Sequence, residues 1–161
     1  MAQLIDRREG RTERGAESGP RRPVVLATVS VRVDPSAERM AIDSALEAGV
    51  PLVLVNLLRL RPFPATLATV GVEGMNLPQD EDLDAVRATA HRAAELGVKT
   101  ELLRVTTGRP VPALLQVARE RNAGLLVFGP DLKLTGRFRF RRLARQVRRG
   151  AECLVWVAPD G

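Results

Sequence analysis

The sequence predicts a single α/β domain, built on one open five-stranded parallel sheet with helices on both faces. Two patterns predict this class. Short apolar runs rich in β-branched residues alternate with segments of helical spacing, and no apolar run is long enough to cross a bilayer. Aromatic residues make up only 3% of the chain, so we expect a core of Val, Leu and Ala. A length of 161 residues favours one domain over two.

The first 22 residues differ from the rest because they are mostly charged or glycine. We predict a flexible charged tail over residues 1–22 and a folded domain over residues 23–159. The first predicted strand of this domain is Val24–Val29. Asp34 and Pro35 are predicted to start the first helix and Gly49 to end it, because Asp and Pro are common at helix starts and Gly at helix ends.

Four further apolar runs complete the predicted sheet: Pro51–Leu58, Val98–Val105, Leu125–Gly129 and Cys153–Ala158. Three more stretches of helical spacing lie between them. The first follows three acidic residues at 80–82 and ends at Gly97, the second runs from Pro110 to near Asn122, and the third lies within Lys133–Arg149. The proline- and glycine-containing stretch Arg59–Gln79 is predicted to be a long loop.

Parallel sheets bind ligands beyond the carboxyl ends of their strands, at the point where the strand order reverses. The loops after the first and fourth predicted strands are the candidates for this point. Asp34 and Gly129 lie on those loops. We therefore expect one small-molecule crevice, bounded by Asp34, Val55, Gly129 and the basic segment Lys133–Arg149.

Cysteine and histidine occur once each, as Cys153 and His91, which argues against an internal disulfide or a zinc site made of these residues. The sequence places no recognisable catalytic partner beside either residue, so we predict a protein that acts by binding rather than by turnover. The charged N-terminus lacks the apolar stretch of a signal peptide, which predicts a cytoplasmic location and no membrane partner.

The run Gly108–Gly129 resembles the universal stress protein pattern of helix, polar turn, apolar strand and glycine. Ala151–Val157 is similar to the closing strand of that family, and Asp34-Pro35-Ser36 resembles its Asp-x-Ser after the first strand. The resemblance extends from about Val24 to Ala158. It implies a Rossmann-like fold of the adenine nucleotide alpha hydrolase-like type and a UspA-like role in stress adaptation.

ATP-binding members of that family carry a Gly-x2-Gly-x9-Gly-Ser/Thr loop, whose glycines let backbone amides approach phosphates. Gly129 matches the first position, but Leu132 stands at the second and Arg142 or Arg141 at the third, depending on the direction of counting. No cofactor is therefore assured. ATP remains a candidate through a rearranged loop that uses Gly136 and the arginines.

The family's acidic position near the first strand has two candidates in this chain. Asp34 has the right spacing to the helix, but about ten residues of strand-like sequence precede it. Ser30 is the alternative, and it would leave the position without a carboxylate.

The segment Lys133–Arg149 carries eight basic residues and no acidic one. Arg141 and Arg142 are suited to a small anion, because guanidinium groups bind phosphate in a bidentate manner. Phe138 and Phe140 add stacking surfaces, which makes an adaptor for nucleic acid or another polyanion a further alternative. We rank a solvated helix face first, a small-anion site second and nucleic acid third.

The last predicted strand carries three apolar residues, Val155, Trp156 and Val157. If this strand forms an edge of the sheet, it favours pairing with a second copy, and the resemblance implies the same homodimer. The alternative places Trp156 in the core under the last helix. Our leading hypothesis is thus a dimeric regulatory protein that acts by binding; the alternatives are a nucleotide-binding member with a rearranged loop and a basic adaptor.

Overall fold

The computed structural model of the chain describes residues 21–60 and 80–159. Strands and helices alternate within them as predicted. In chain order the elements are β1 (Val24–Val29), α1 (Pro35–Ala48), β2 (Leu52–Arg59), α2 (Asp80–Glu95), β3 (Thr100–Thr107), α3 (Pro110–Glu120), β4 (Leu125–Phe128), α4 (Leu132–Thr135), α5 (Arg137–Gly150) and β5 (Leu154–Val157). The predicted tail, apart from residues 21 and 22, and most of the predicted loop lie outside the described residues.

The five strands form one sheet in the order β3-β2-β1-β4-β5, and each neighbouring pair is parallel. This confirms the predicted fold class. Val24 in the central strand pairs with Leu52 of β2 on one side and with Leu125 of β4 on the other. The strand order therefore reverses between β1 and β4, where the loops after the first and fourth strands meet.

Helices cover both faces of the sheet, so every residue of β1 is buried. Alternate residues of the strand point to opposite faces. Val25 and Ala27 belong to the core that α3 and α5 cover, whereas Val24 and Leu26 belong to the core under α1 and α2. Burial on both faces explains why the sequence shows continuous apolar runs rather than an alternating pattern.

Helix α1 begins and ends at the residues that the sequence indicated. The Asp34 carboxylate accepts a hydrogen bond from the Ser36 amide at 2.8 Å, and Pro35 occupies the first turn. Gly49 closes the helix in the left-handed conformation, with φ of 61°. With these two ends, the N-terminus of α1 lies above the carboxyl edge of the sheet, close to β4.

The structure corrects three local predictions. The basic segment forms two helices, α4 and α5, because Gly136 between them has φ of 84° and interrupts the α-helical backbone. The third strand starts at Thr100 rather than Val98, whose amide is used to close α2 by bonding to the Ala93 carbonyl. Trp156 is half-buried against the α1 and α2 core, on the face opposite to α5.

Candidate functional site

The two loops predicted to bound a crevice are joined to each other by backbone hydrogen bonds. The Asp34 amide donates to the Gly129 carbonyl at 2.8 Å, and the Asp131 amide donates to the Arg32 carbonyl at 3.1 Å. Val33 and Pro130 form an antiparallel bridge between these two bonds. We call residues 30–34 and 129–131 the seam, and it closes the point where the strand order reverses.

The first half of the seam is the extra sequence that separates β1 from α1. Ser30 follows the strand directly with φ of 56°, and its hydroxyl oxygen accepts a hydrogen bond from the Arg59 amide at 3.1 Å. The buried Thr28 hydroxyl bonds the carbonyls of Val31 and Arg32, which folds the loop back onto the strand. The two candidates for the family's acidic position therefore lie at opposite ends of this loop, Ser30 at the strand and Asp34 at the helix.

Asp131 is a central residue of the seam that the sequence analysis did not identify. One carboxylate oxygen accepts from the amides of Lys133 and Leu134 at 2.9 and 3.4 Å, and the other accepts from the Arg32 Nε at 3.1 Å. Amides at such a turn are the groups that commonly bind phosphate. Here the protein's own carboxylate, only 13% exposed, occupies them. An aspartate directly before a helix was the available signal, since it is a common capping residue.

Gly129 and Gly136, the two glycines expected to cradle a phosphate, have their backbone polar groups bonded within the fold. The Gly129 amide donates to the Ala27 carbonyl at 2.9 Å, while its carbonyl accepts from Asp34. The Gly136 amide donates to the Leu132 carbonyl at 3.0 Å, and its carbonyl accepts from the Phe140 amide at 2.9 Å. Neither glycine therefore presents an available amide to a ligand in this conformation.

Gly129 also has a packing role. A Cβ atom at this position would lie 2.0 Å from the Ala37 Cβ, so only glycine allows α1 to approach β4 this closely. This contact is sufficient by itself to require glycine at position 129.

Helix α5 carries the positions at which the family has its third glycine and hydroxyl residue. Arg141 and Arg142 lie in the second turn of the helix, where each amide donates to the carbonyl four residues earlier. Both side chains are exposed. Phe140 anchors the helix on the sheet, with its ring centroid 6.0 Å from that of Phe128 and the two ring planes tilted by 41°. The segment that carries Arg141 and Arg142 is thus helical.

Val55 lies in the middle of β2, paired with Ala27 and Leu103, and is fully buried. Its side chain contributes to the core under α3 and α5. The predicted site residues are therefore found in three settings: Asp34 and Gly129 in the seam, Val55 in the core, and Gly136 with the arginines on the helical segment. The set as a ligand site stays a prediction.

An open cleft has a volume of about 740 Å³, which is typical of small-molecule sites. The ends of β2 and β3, the start of α3 and the first turns of α5 surround it. Its lining combines apolar side chains with four arginines: Pro110, Val111, Pro112, Phe138 and Leu143, with Arg59, Arg109, Arg139 and Arg142. Within residues 21–60 and 80–159, Arg59, Arg109 and Arg142 form no ion pair. We call this the arginine cleft.

A second cleft, of about 590 Å³, lies between α1 and α2, adjoins the seam at Arg32, Val33 and Asp131, and contains charges of both signs. Arg92 bonds both carboxylate oxygens of Glu38 at 2.6 and 2.7 Å, and the Thr89 hydroxyl donates to the same group at 2.7 Å. The bond from Arg92 lowers the pKa of Glu38, against the opposing effect of burial, and Glu38 in turn raises the pKa of Arg92. This network joins two helices, and its charges compensate each other.

Cys153 and His91 do not form a reactive pair. Burial raises the pKa of the Cys153 thiol, which disfavours the nucleophilic thiolate. His91 is exposed on α2, with its Nε2 3.3 Å from a Glu95 carboxylate oxygen. No cluster of three or more His, Cys, Asp or Glu residues suited to a metal ion occurs in the described part of the chain.

Residues 20–159, which include the whole predicted domain, match the sequence model of the universal stress protein family. The chain belongs to that family. Its five-stranded parallel sheet with helices on both faces agrees with the universal stress protein fold. No curated protein sequence matches the chain.

Solved universal stress proteins share the fold at low sequence identity. One from Burkholderia pseudomallei is 21% identical, with a TM-score of 0.61 over 88% of this chain and 98% of that protein. UspA from Lactobacillus plantarum is 18% identical, with a TM-score of 0.59 over 84% and 97%. A universal stress protein from Archaeoglobus fulgidus, solved with dAMP, is 24% identical, with a TM-score of 0.53 over 84% and 96%.

None of the helices in the described ranges has the length and apolar character needed to span a membrane.

Proposed function

We propose that this universal stress protein is a cytoplasmic, noncatalytic regulator of stress adaptation that acts as a homodimer. It binds a small anionic ligand through arginine side chains instead of holding a triphosphate in a glycine loop. The observation that carries this proposal is the closed seam, in which Asp131 occupies the turn amides and the two loops bond to each other.

The arginine cleft is the proposed ligand site. Its floor is apolar and its cationic groups come from three separate parts of the fold, the end of β2, the start of α3 and α5. Arginines gathered from separate elements can bind an anion on several sides at once, and their bidentate geometry suits phosphate or carboxylate. An apolar floor adds affinity for the rest of an organic ligand.

The alternative is a nucleotide-binding member with a rearranged loop. Solved relatives were obtained with dAMP and with cAMP, which supports testing adenine nucleotides. In this chain such binding through the loop requires the seam to open and the amides around Asp131 and Gly136 to lose their present partners. The loss of those bonds would reduce the affinity for a nucleotide.

A thermal-shift titration tests the proposal, with ATP, ADP, AMP, cAMP and pyrophosphate, each with and without Mg²⁺. A ligand at about a hundredfold excess over its Kd adds about 2.7 kcal/mol of stability, which is easily detected. We expect at least one of these anions to stabilise the wild-type protein. The double variant Arg59→Ala/Arg109→Ala should lose the shift, and the matched variant Arg39→Ala/Arg104→Ala, with exposed arginines of α1 and β3, should keep it.

Three results would contradict this function. Stabilisation that survives Arg59→Ala/Arg109→Ala would place the ligand outside the arginine cleft and favour the rearranged loop. Protein-dependent hydrolysis of ATP would exclude a purely binding role. A complete absence of stabilisation by all five anions would remove the small-anion ligand and leave a regulator that binds macromolecular partners.

A further inference from the structure

The positive charge of the molecule is concentrated on α4 and α5. Eight of the 25 basic residues lie between Lys133 and Arg149 without any acidic residue. The remainder of the chain has 17 basic and 19 acidic residues and is therefore slightly acidic. A field concentrated in this way attracts a polyanion to one side of the protein.

Four exposed residues of α5 form a single line along the helix, which we call the outer stripe: Phe138, Arg142, Arg145 and Arg149. Their spacing of four, three and four residues places them on one face. The buried residues of the helix lie on the opposite face, where they pack against the sheet: Phe140, Leu143, Ala144 and Val147. At 1.5 Å per residue the outer stripe is about 16 Å long.

Phe138 is unusual because 87% of its surface is exposed, although the other apolar residues of α5 are buried. The fold gives it no packing role comparable to that of Phe140. An exposed aromatic ring in a row of guanidinium groups is the combination that binds single-stranded nucleic acids, whose bases stack on the ring while their phosphates contact the cations.

The arginines of the outer stripe have no compensating acid. Across the described ranges, Arg142, Arg145 and Arg149 form no ion pair. Like charges three or four residues apart repel each other on a helix. An anionic partner that runs along the helix relieves this repulsion at every position, whereas a compact ligand in the arginine cleft reaches only its near end.

We propose that the outer stripe binds single-stranded nucleic acid, with phosphates on the three arginines and an unstacked base on Phe138. A membrane surface fits less well, because the apolar side of α5 is already buried against the sheet. A duplex keeps its bases stacked and has none to offer Phe138. This interaction goes beyond the proposed small-anion ligand and uses two arginines, Arg145 and Arg149, that do not line the arginine cleft.

The test is fluorescence anisotropy of labelled dT12 and U12 oligonucleotides with the full chain over a range of salt concentrations. Affinity should fall with salt, with a log–log slope of about −0.7 for each phosphate contacted. Arg145→Gln/Arg149→Gln should weaken binding at least about tenfold at low salt and reduce the magnitude of the slope by about 1.4. Arg39→Gln/Arg104→Gln removes the same charge elsewhere and should change affinity less than about threefold.

A second set of variants tests the stacking contact. Phe138→Leu should weaken single-strand binding about tenfold, while Phe138→Trp should preserve it. Binding of a duplex of the same length should be insensitive to both changes. These side chains are exposed, so circular dichroism of each variant should match the wild-type spectrum.

The proposal is wrong if neither oligonucleotide binds at low salt, or if the two double variants lose affinity equally. It is also overturned if polyglutamate of equal charge displaces the labelled oligonucleotide as effectively as an unlabelled oligonucleotide does, and Phe138→Leu leaves the affinity unchanged. That last result would assign the stripe to an acidic protein partner.

Discussion

At the residue scale, Glu38 connects α1 to α2 through one charged network with Arg92 and Thr89. The Glu38 side chain is only 18% exposed, whereas Arg92 is 51% exposed, so solvent weakens part of the attraction. The network is the main polar link between these two helices in the described structure, which makes it a suitable place to measure a charged contact in this fold.

Glu38→Gln is expected to lower the free energy of unfolding by about 1 kcal/mol at pH 7. The pKa of Glu38 is lowered from its ordinary value of 4.5 in the folded state, so this stability is fully present above pH 4.5. It is lost as the pH falls through the lower folded-state pKa. Urea denaturation at pH 7, 5, 4 and 3 should therefore show the difference from wild type shrinking with acidity.

The matched control is Glu47→Gln, which removes an exposed carboxylate of α1 that has no ion pair with another described residue. We expect it to change stability by less than about 0.5 kcal/mol. A Glu38→Gln effect that is the same at pH 7 and pH 3 would show that the contact acts through packing instead of charge.

At the element scale, α5 depends on Phe140 for its position on the sheet. The ring is 6% exposed and contacts Phe128 of β4 in the core. Helix propensity alone does not hold such an arginine-rich helix in place, since most helical stability in proteins comes from the packed apolar face.

Phe140→Ala is expected to lower the free energy of unfolding by about 3 kcal/mol, because it leaves a cavity between α5 and β4. Phe138→Ala on the same helix removes an identical side chain that is 87% exposed, and should cost less than about 0.5 kcal/mol. Chemical denaturation of both variants measures the contrast. Equal effects would mean that α5 is not anchored through its buried face.

The fold could be predicted from the sequence at this scale because buried parallel strands and amphipathic helices leave periodic apolar patterns. Asp34, Pro35 and Gly49 also mark the ends of α1 by their own backbone preferences. The seam leaves no such pattern, since its bonds join backbone atoms of irregular segments about a hundred residues apart in sequence. The arginine cleft was missed for a related reason: Arg59 and Arg109 lie on separate elements, and the pairing of β2 with β3, which places Arg59 opposite Thr107, brings them together.

At the scale of the whole molecule, the sheet has two edges, β3 and β5. In β5, Leu154 is 76% exposed and Val155 and Trp156 are half-buried. Among the described residues no strand pairs with the outer side of β5. An exposed apolar edge of this kind favours association, which supports the proposed homodimer.

Leu154→Glu should convert the dimer to a monomer, because it places two like charges at the proposed contact between copies. Size-exclusion chromatography with light scattering at several concentrations measures the mass. Leu102→Glu makes the same change on the opposite edge, where Leu102 is 38% exposed, and should leave the dimer intact. A wild-type monomer, or dissociation by Leu102→Glu alone, would contradict assembly through β5.

The contact between Gly129 and Ala37 also constrains how this sequence can change over evolutionary time. Any side chain at position 129 meets the Ala37 Cβ, so a larger residue there becomes acceptable only after residue 37 has become glycine or α1 has shifted. Helix packing therefore gives a reason to retain Gly129 whether or not a nucleotide binds. In descendants of this chain, the presence of that glycine would not diagnose an ancestral or surviving nucleotide site.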